Sequence, residues 1–410
     1  MQHVKKLQSF PSWPRSLIQS SSSSRTFPNL HFHVFRDDLL SIKMMEDLPP
    51  RENCYGSEKA WQDLNSKCLS GNKLRKLQFL LSQSCWMNNH DDDIHNNNRF
   101  GDFNDLTLEY DFNNLKEIRS YGSIQSNAML SIAYLCFRLG ISFKYFVERD
   151  LNYVESNSQF GNLFHVMQLR SQGLQMEFIP LTERQDYERM KHDFYCRTVS
   201  QRKSFDEKSG VLYLREGVSQ HEAQIGYSQM ALELNDAIQE LVRSSRSKKH
   251  QFNVFLPSGT GTSALFLSKY LLQMNQSSCN NSARFQVFTT NCVGSVQYLQ
   301  NQFCELEPND SSIYPKILQT TKKYRYGQLY KEMYEMIQNL KNEIGVQFEY
   351  LYDAKGFLAL KEQHDIFLHD PYVEHSTSTE NHVIYIHSGG LLGNTPMEDR
   401  YRRFLMKTRE

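Results

Sequence analysis

The 410 residues are enough for two ordinary domains or one large domain with a sizeable core. The 46 basic and 46 acidic residues give a formal net charge of +0, which argues against nucleic acid or an acidic membrane as a partner. The eight cysteines are scattered without a CxxC pair, so we expect reduced cysteines in an intracellular protein and no metal site. No apolar run approaches the roughly 18 residues of a membrane span.

The first 36 residues contain no Asp or Glu, but they contain lysines, arginines and a run of serines at 20–24. This composition is typical of an organellar transit peptide. The alternative is that the segment belongs to the fold, because residues 30–36 alternate like a strand. A cytoplasmic location is expected, with a mitochondrion or a plastid as the alternative.

Apolar spacing and turn residues predict the elements of the first part of the chain. A strand is predicted at 31–36, a short helix at 58–66 and a further helix at 77–87. Residues 88–105 are rich in Asn, Asp and His, and we interpret them as a polar inserted loop. His90 and His95 are accordingly interpreted as loop residues and not as metal ligands.

A strand-turn-helix-strand unit follows and indicates a parallel sheet. Its first strand is predicted at 116–121, its turn at 122–127, its helix at 128–139 and its second strand at 142–147. After it, helices are predicted at 162–172, 220–243, 263–274, 293–305 and 329–343, and strands at 176–180, 211–214, 253–256, 284–290 and 383–386; residues 184–210 form a polar segment. The alternation of strands and helices makes the fold class α/β.

Lys73 lies at the junction between Gly71-Asn72 and an apolar run that starts at Leu77. A lysine that is held at such a boundary and removed from water loses its proton more easily. The uncharged amine is the form that Schiff-base chemistry requires. The alternative is that Lys73 and its neighbours Arg75 and Lys76 are solvated charges on the first turns of a helix.

The strongest local signal lies between a buried strand and a helix. It consists of small and hydroxyl residues whose backbone amides can close around an anion at a helix N-terminus: Ser258, Gly259, Thr260, Gly261 and Thr262. Because no lysine follows, the stretch is not a nucleotide P-loop. It predicts a phosphate site, and an ordinary glycine-rich turn is the alternative.

Two further groups carry polar side chains at places suited to a ligand. Ser126 and Asn127 stand at the N-terminus of the helix predicted at 128–139, where they could hold a carboxylate or a ring hydroxyl, or act as a plain N-cap. Asp353 follows Tyr352 and an apolar run, and a buried acid there needs a partner such as a protonated ring nitrogen. The alternative for Tyr326, Tyr352 and Asp353 is two core tyrosines and a surface acid.

Together these residues match one cofactor, pyridoxal 5'-phosphate (PLP). PLP needs a lysine for its aldehyde, an anion site for its phosphate and a partner for its ring nitrogen, and it stabilises carbanions. The sequence therefore predicts a PLP enzyme.

The motifs resemble those of the 1-aminocyclopropane-1-carboxylate (ACC) deaminase / D-cysteine desulfhydrase family, which has the tryptophan-synthase-β-like fold (type II) of PLP enzymes. The resemblance runs from about residue 36 to 393 and rests on four stretches in the same order: residues 71–77, 122–127, 258–262 and 387–390. It implies two open, twisted, mostly parallel sheets. The smaller domain would run from 78 to 207, inserted into a larger domain of 1–77 and 208–410, with the cofactor in the cleft between them.

The resemblance also implies roles for single residues. Lys73 would carry PLP, Asn127 would contact its ring oxygen, and Ser126 would bind the substrate carboxylate or assist proton transfer. The 258–262 residues would hold the phosphate, and Asp353 would pair with the ring nitrogen. Tyr326 and Tyr352 match the two active-site tyrosines of the family, one of which would act as nucleophile or acid-base group.

The implied activity is that of a deaminase or lyase that acts on a small amino acid and releases ammonia and a 2-keto acid. An acid at position 353 favours the ACC deaminase side over the desulfhydrases, which usually have a threonine there. The alternatives are a D-cysteine desulfhydrase that releases pyruvate, sulfide and ammonia, and a PLP-binding protein without catalysis. A homodimer is implied by the resemblance alone.

Overall fold

The computed structural model describes residues 18–21, 25–27, 31–39, 71–86, 112–245, 249–277, 282–367 and 379–407. The helix expected at 58–66 and the polar loop expected at 88–105 lie outside these residues. The strands are β1 (Ile18–Ser21), β2 (His31–Phe35), β3 (Glu117–Tyr121), β4 (Ser142–Val147), β5 (Met176–Pro180), β6 (Phe205–Asp206), β7 (Val211–Leu214), β8 (Lys249–Ser258), β9 (Ala283–Asn291), β10 (Lys316–Ile317) and β11 (Thr379–Ile386).

The helices lie between these strands and cover the sheets. They are α1 (Asn72–Trp86), α2 (Asn127–Leu139), α3 (Leu151–Ser156), α4 (Gly161–Ser171), α5 (Arg184–Tyr195), α6 (Gln224–Ser244), α7 (Thr262–Ser277), α8 (Val296–Leu306), α9 (Lys331–Ile344), α10 (Asp353–Glu362) and α11 (Asn394–Lys407). Within the described ranges, none of the helices has the length and apolarity needed to cross a bilayer.

Most of the elements predicted within the described residues are present, and two of the differences have a physical reason. α1 begins at Asn72 instead of Leu77, because its first turn is mostly polar and carries a single apolar residue, Leu74. α5 occupies part of the segment described as polar, because it buries only a narrow stripe of Tyr187, Met190 and Phe194. α10 and α11 were not predicted.

The chain forms two compact units. The described residues of the first unit are 71–86 and 112–226, and its five-stranded sheet has the order β5-β4-β3-β7-β6. Its neighbouring strands are parallel except for β6 and β7. β7 pairs with β3 in this sheet, from Val211 opposite Glu117 to Leu214 opposite Ser120. The first unit therefore includes residues on both sides of the domain boundaries expected at 77/78 and 207/208. Those boundaries stay predictions about which segments fold independently.

The second unit holds residues 18–39 and 227–407 of the described chain and a six-stranded sheet of order β1-β2-β11-β8-β9-β10. All neighbours are parallel except β1 and β2. The predicted α/β class with two mostly parallel sheets is confirmed. Because the strands are parallel, the carboxyl ends of β2, β8, β9 and β11 share one edge, where ligands of open α/β sheets bind.

Close packing fixes where α10 begins at that edge. A Cβ at Gly356 would lie 3.2 Å from Phe255, Pro257 and Tyr385, so a larger residue there would require these side chains to move by a few tenths of an ångström. The next residue, Phe357, stacks on the Tyr385 ring with centroids 3.9 Å apart. This packing places Asp353, the first residue of α10, at the carboxyl end of β11.

Candidate functional site

The 258–262 loop joins the end of β8 at Ser258 to the start of α7 at Thr262. Gly261 has a φ of 76°, and a Cβ there would lie 2.5 Å from the Phe303 ring. Glycine is therefore required by both conformation and space. The loop delivers backbone amides to the N-terminus of a 16-residue helix, which is an arrangement that binds phosphate.

Hydroxyl groups line the same loop. The Thr260 and Thr262 hydroxyls lie 3.1 Å apart. The Ser258 hydroxyl lies 2.7 Å from that of Thr289 on the neighbouring strand β9. Ser258 and Thr262 are buried, whereas Gly259 and Thr260 remain half-exposed, so an anion reaches the loop from the side of Gly259 and Thr260.

Tyr352 and Tyr326 lie beside the loop. A Cβ at Gly259 would be 3.2 Å from Cε1 and 3.3 Å from the hydroxyl oxygen of Tyr352. The rings of Tyr326 and Tyr352 meet edge to face with centroids 5.5 Å apart. Burial and the Tyr326 hydroxyl raise the pKa of Tyr352 well above its ordinary value, so Tyr352 is a protonated phenol at neutral pH.

Asp353 is buried, and the protein engages both of its oxygens. Its Oδ1 accepts a hydrogen bond from the Tyr385 hydroxyl at 2.8 Å, and its Oδ2 accepts one from the Glu349 backbone amide at 2.9 Å. His387 Nδ1 lies 3.7 Å from Oδ2. Burial raises the pKa of Asp353. A carboxylate has further lone pairs, so these contacts hold Asp353 in place and still leave room for one more donor.

Glu349 is a second buried acid that the sequence analysis missed. Its Oε2 accepts hydrogen bonds from the backbone amides of Leu351 at 2.8 Å and Tyr352 at 2.6 Å. Burial and the adjacent Asp353 raise the pKa of Glu349 to about 8. Glu349 thereby positions the backbone of Tyr352. The signal in the sequence was an acid inside the apolar run 348–352.

Ser388, which directly follows β11 and His387, was also missed as a site residue. Its hydroxyl oxygen is buried and has no hydrogen-bond partner among the described residues. The same holds for the hydroxyl of Thr290 at the end of β9. A buried hydroxyl without a partner is costly, so a bound water or ligand would stabilise it.

Lys73 and Lys76 lie one turn apart on α1 in the first unit and have different surroundings. Lys73 is half-buried, and burial lowers its pKa to about 8. Lys76 is 2% exposed and donates a hydrogen bond to the Gly217 carbonyl at 2.7 Å. The Lys76 amine thus serves a structural hydrogen bond, whereas the Lys73 amine has a pKa of about 8 and is partly uncharged near neutral pH.

Ser126 and Asn127 begin α2, which packs against α1 in the same unit. The Ser126 hydroxyl oxygen accepts hydrogen bonds from the backbone amides of Ala128 at 3.2 Å and Met129 at 3.3 Å, which makes it an N-cap. Asn127 Oδ1 accepts a hydrogen bond from Asn162 at 2.8 Å. That bond leaves the Asn127 amide group as a donor, whereas the Ser126 side chain is also hydrogen-bonded to Tyr145.

The predicted residues therefore gather as two sets, one in each unit. The second unit brings together the 258–262 loop, Tyr326, Tyr352 and Asp353, and the first unit brings Ser126 and Asn127 to one helix end near the helix of Lys73. Their assignment as site residues stays a prediction.

Comparisons with known proteins identify the fold. No family model matches the chain, and no curated protein matches it. Among solved structures, an ACC deaminase homologue is similar at 15% identity, covering 93% of this chain and 91% of that chain with a TM-score of 0.53.

Two weaker matches carry no argument of their own. They are serine racemase from Dictyostelium discoideum (11% identity, 92% of each chain, TM-score 0.48) and Escherichia coli diaminopropionate ammonia lyase in its apo form (11% identity, 94% of this chain and 86% of that chain, TM-score 0.47). The chain has the fold of the ACC deaminase homologue, and the predicted tryptophan-synthase-β-like fold is confirmed.

Proposed function

We propose that this chain is a PLP-dependent enzyme that acts on a small amino acid as a deaminase or lyase. The proposal rests on one edge of the second unit, where a glycine loop at a helix N-terminus lies against the Tyr352 ring. Ser388, two residues after the end of the adjacent strand β11, has a buried hydroxyl without a hydrogen-bond partner among the described residues. This edge offers an anion site, an aromatic surface and a polar group for a ring atom.

The residues at this edge fit PLP. The 258–262 loop would hold the phosphate through backbone amides and the hydroxyl groups of Thr260 and Thr262. Ser388 and Asp353 are the candidates for the ring nitrogen, because one has a buried hydroxyl without a partner among the described residues and the other keeps spare lone pairs. When bound, PLP supplies an electron sink for the substrate carbanion.

Lys73 would hold the cofactor and move protons. Its amine is largely uncharged above pH 8, because burial lowers its pKa to about 8. In that form it can attack a carbonyl carbon or accept a proton. Lys76 is unsuited to this role, because its amine already donates to the Gly217 carbonyl.

The remaining site residues would bind and protonate the substrate. Asn127 presents its amide group as a donor beside Ser126 at the N-terminus of α2, where a carboxylate is stabilised by the helix dipole. Tyr352 stays protonated and half-buried, and its neighbour Tyr326 is 49% exposed. The pair would carry a proton between the substrate and solvent, with Tyr352 as the inner member.

Among the possible reactions, we favour ring opening of ACC to ammonia and 2-oxobutanoate. The tyrosine pair, the acid at position 353 and the similarity to an ACC deaminase homologue support this choice. Elimination from D-cysteine, with pyruvate and sulfide as products, is a distinct outcome of the same assay.

The test is a spectrum, an adduct map and a product assay on the purified protein with added PLP. We expect a visible absorbance band that changes with ACC, and borohydride reduction that fixes a phosphopyridoxyl group on Lys73 and not on Lys76. Keto acid is then measured with ACC, D-cysteine, L-cysteine and D-serine.

The outcomes of this test distinguish a PLP enzyme from a PLP-binding protein and from a protein that does not bind PLP. No band and no adduct on Lys73 would overturn the cofactor. An absorbance band that no amino acid changes would indicate a non-catalytic PLP-binding protein instead of an enzyme. Lys361→Ala, at a lysine in the last turn of α10, is the matched control for Lys73→Ala and should leave the band intact.

A further inference from the structure

Four histidines and a glutamate meet at the amino ends of three adjacent strands in the six-stranded sheet. β2 supplies His31 and His33, β8 supplies His250, and β11 supplies Glu380 and His382. The strand registers place Glu380 opposite His250 and His382 opposite His31. We call these five side chains the histidine cluster. Because the three strands are parallel, it lies at the opposite end of β8 and β11 from Ser258 and Ser388.

The atoms of the histidine cluster face one another at short range. His250 Nδ1 lies 3.1 Å from His382 Nε2. Glu380 Oε2 lies 3.8 Å from His250 Nδ1, and Glu380 Oε1 lies 3.8 Å from His382 Nε2. His31 Nε2 lies 3.4 Å from Glu380 Oε1. The ligand atoms of His250, Glu380 and His382 thus lie within 4.8 Å of one another, and His31 adds a ring nitrogen beside Glu380.

These separations match the edges of a small coordination tetrahedron. Zinc binds His nitrogen and carboxylate oxygen at about 2.0–2.2 Å, so ligand atoms in a tetrahedral site are spaced by roughly 3.3–3.6 Å. The separations of 3.1 and 3.8 Å among the His250, His382 and Glu380 atoms bracket this spacing. A cation bound by these three side chains therefore requires only small side-chain shifts, and His31 would turn towards it as the fourth ligand.

Outer contacts orient the ligands as metal sites require. His382 Nδ1 lies 3.1 Å from Nε2 of the buried His33, so a proton on Nδ1 leaves Nε2 with a free lone pair. The Ser245 hydroxyl donates to Glu380 Oε2 at 2.5 Å. These contacts fix the ring tautomer of His382 and the rotation of the carboxylate.

We propose that the histidine cluster is a zinc site, in which His250 Nδ1, His382 Nε2 and one Glu380 oxygen are ligands and the exposed His31 completes the tetrahedron. The ion takes the place of the proton that His250 and His382 otherwise share. A ligand set of nitrogen and oxygen on strand backbones is typical of zinc. The site joins β2, β8 and β11 and is independent of the proposed activity.

The test is zinc binding to the full chain, prepared without an affinity tag and freed of metal with a chelator. We expect competition with a fluorescent zinc chelator to give one site per chain with a Kd below about 1 µM. Glu380→Gln and His250→Gln are expected to weaken zinc binding at least 100-fold. Cobalt should give the intense visible absorption of a tetrahedral site in the wild type alone.

Controls separate this site from other histidines and from unfolding. His364→Gln changes a histidine next to Asp365, outside the cluster, and should bind zinc like the wild type. His31→Gln alters the exposed ligand without touching the core, and it should lose about tenfold if the buried variants fail to fold by circular dichroism. Wild-type protein that binds no zinc below about 10 µM, or folded cluster variants that bind like the wild type, would overturn the proposal.

Discussion

The Tyr352 ring lies against the backbone of Gly259, 3.2 Å from the position that a Cβ of residue 259 would occupy. No left-handed conformation is involved at Gly259, so the constraint is steric alone. Gly259→Ala would push the tyrosine away by a few tenths of an ångström and disturb the proposed phosphate loop. We expect PLP affinity to fall about tenfold, measured by titration of the visible band, with the fold retained.

Gly393→Ala is the matched control for this change. A Cβ at Gly393 meets nothing within 4 Å, and its φ is not positive. It should leave PLP affinity unchanged. Equal losses in both variants would mean that the contact between Gly259 and Tyr352 has no part in binding.

The tyrosine pair should separate chemistry from cofactor binding. Tyr352→Phe and Tyr326→Phe keep the rings and remove only the hydroxyl groups. If the pair moves protons, kcat should fall about 100-fold or more, while PLP affinity changes less than about threefold. Steady-state rates with ACC measure this effect, and Tyr298→Phe, at a 37% exposed tyrosine of α8, is the control. Unchanged kcat in both variants would remove the tyrosines from the mechanism.

Capture of PLP should depend on pH through Lys73. Burial lowers its pKa to about 8 from 10.5, so the uncharged amine accumulates as pH rises to 8 and then levels off. The uncharged fraction grows about ninefold from pH 6 to 7 and less than about twofold from pH 8 to 9. The rate of band formation, followed by stopped flow, should have this profile. A rate that keeps rising about tenfold per unit up to pH 10 would contradict the lowered pKa.

Glu349 should make the protein less stable as pH rises. Its pKa is about 8 in the folded chain, against 4.5 as its ordinary value, so the folded state holds the extra proton between these pH values. The free energy of unfolding then decreases from pH 5 to 8, by at most about 1.4 kcal/mol per unit. Urea unfolding should give a flatter profile for Glu349→Gln, whose amide oxygen can still accept from Leu351 and Tyr352.

The control for this profile is Glu335→Gln, at a largely exposed glutamate of α9 whose carboxylate pairs with Lys331. It should retain the wild-type slope. The same slope in Glu349→Gln would assign the pH dependence to other groups.

Ser388→Ala should affect the protein only when PLP is present. The hydroxyl is buried without a hydrogen-bond partner among the described residues, so its removal should change the free energy of unfolding without PLP by less than about 1 kcal/mol. With PLP, the added stability should be smaller than in the wild type. Thermal unfolding with and without PLP measures both quantities, and an unchanged PLP effect would exclude Ser388 from the site.

The sequence was sufficient where a signal is local. The strands Ser142–Val147, Met176–Pro180 and Val211–Leu214 have the predicted bounds, because turn residues frame each apolar run. The glycine loop was recognisable because Gly261 stands between a buried strand and a helix. The resemblance favoured Lys73 over Lys76, because Lys73 directly follows Gly71-Asn72, and the structure adds the hydrogen bond of Lys76 to the Gly217 carbonyl.

Features built by distant contacts could not be predicted in this way. His33 and His382 are 349 positions apart in the chain, so no spacing rule relates them, and the sequence analysis expected no metal site. Whether the Ser388 hydroxyl has a partner among the described residues depends on packing around the end of β11. α5 escaped because its buried stripe contains only three residues in a polar segment.

The antiparallel pairing of β1 with β2 has a consequence for shortened forms of the chain. β1 is the outermost strand on its side of the sheet and is short and mostly polar, which discourages pairing with other molecules. A chain shortened to begin after Ser21 would make β2 the edge strand of the sheet. The backbone amides and carbonyls that β2 now pairs with β1 would then be exposed beside Phe32, Val34 and Phe35. Such a truncated chain would be prone to self-association, and the position of any amino-terminal cut would decide between a stable product and an aggregating one.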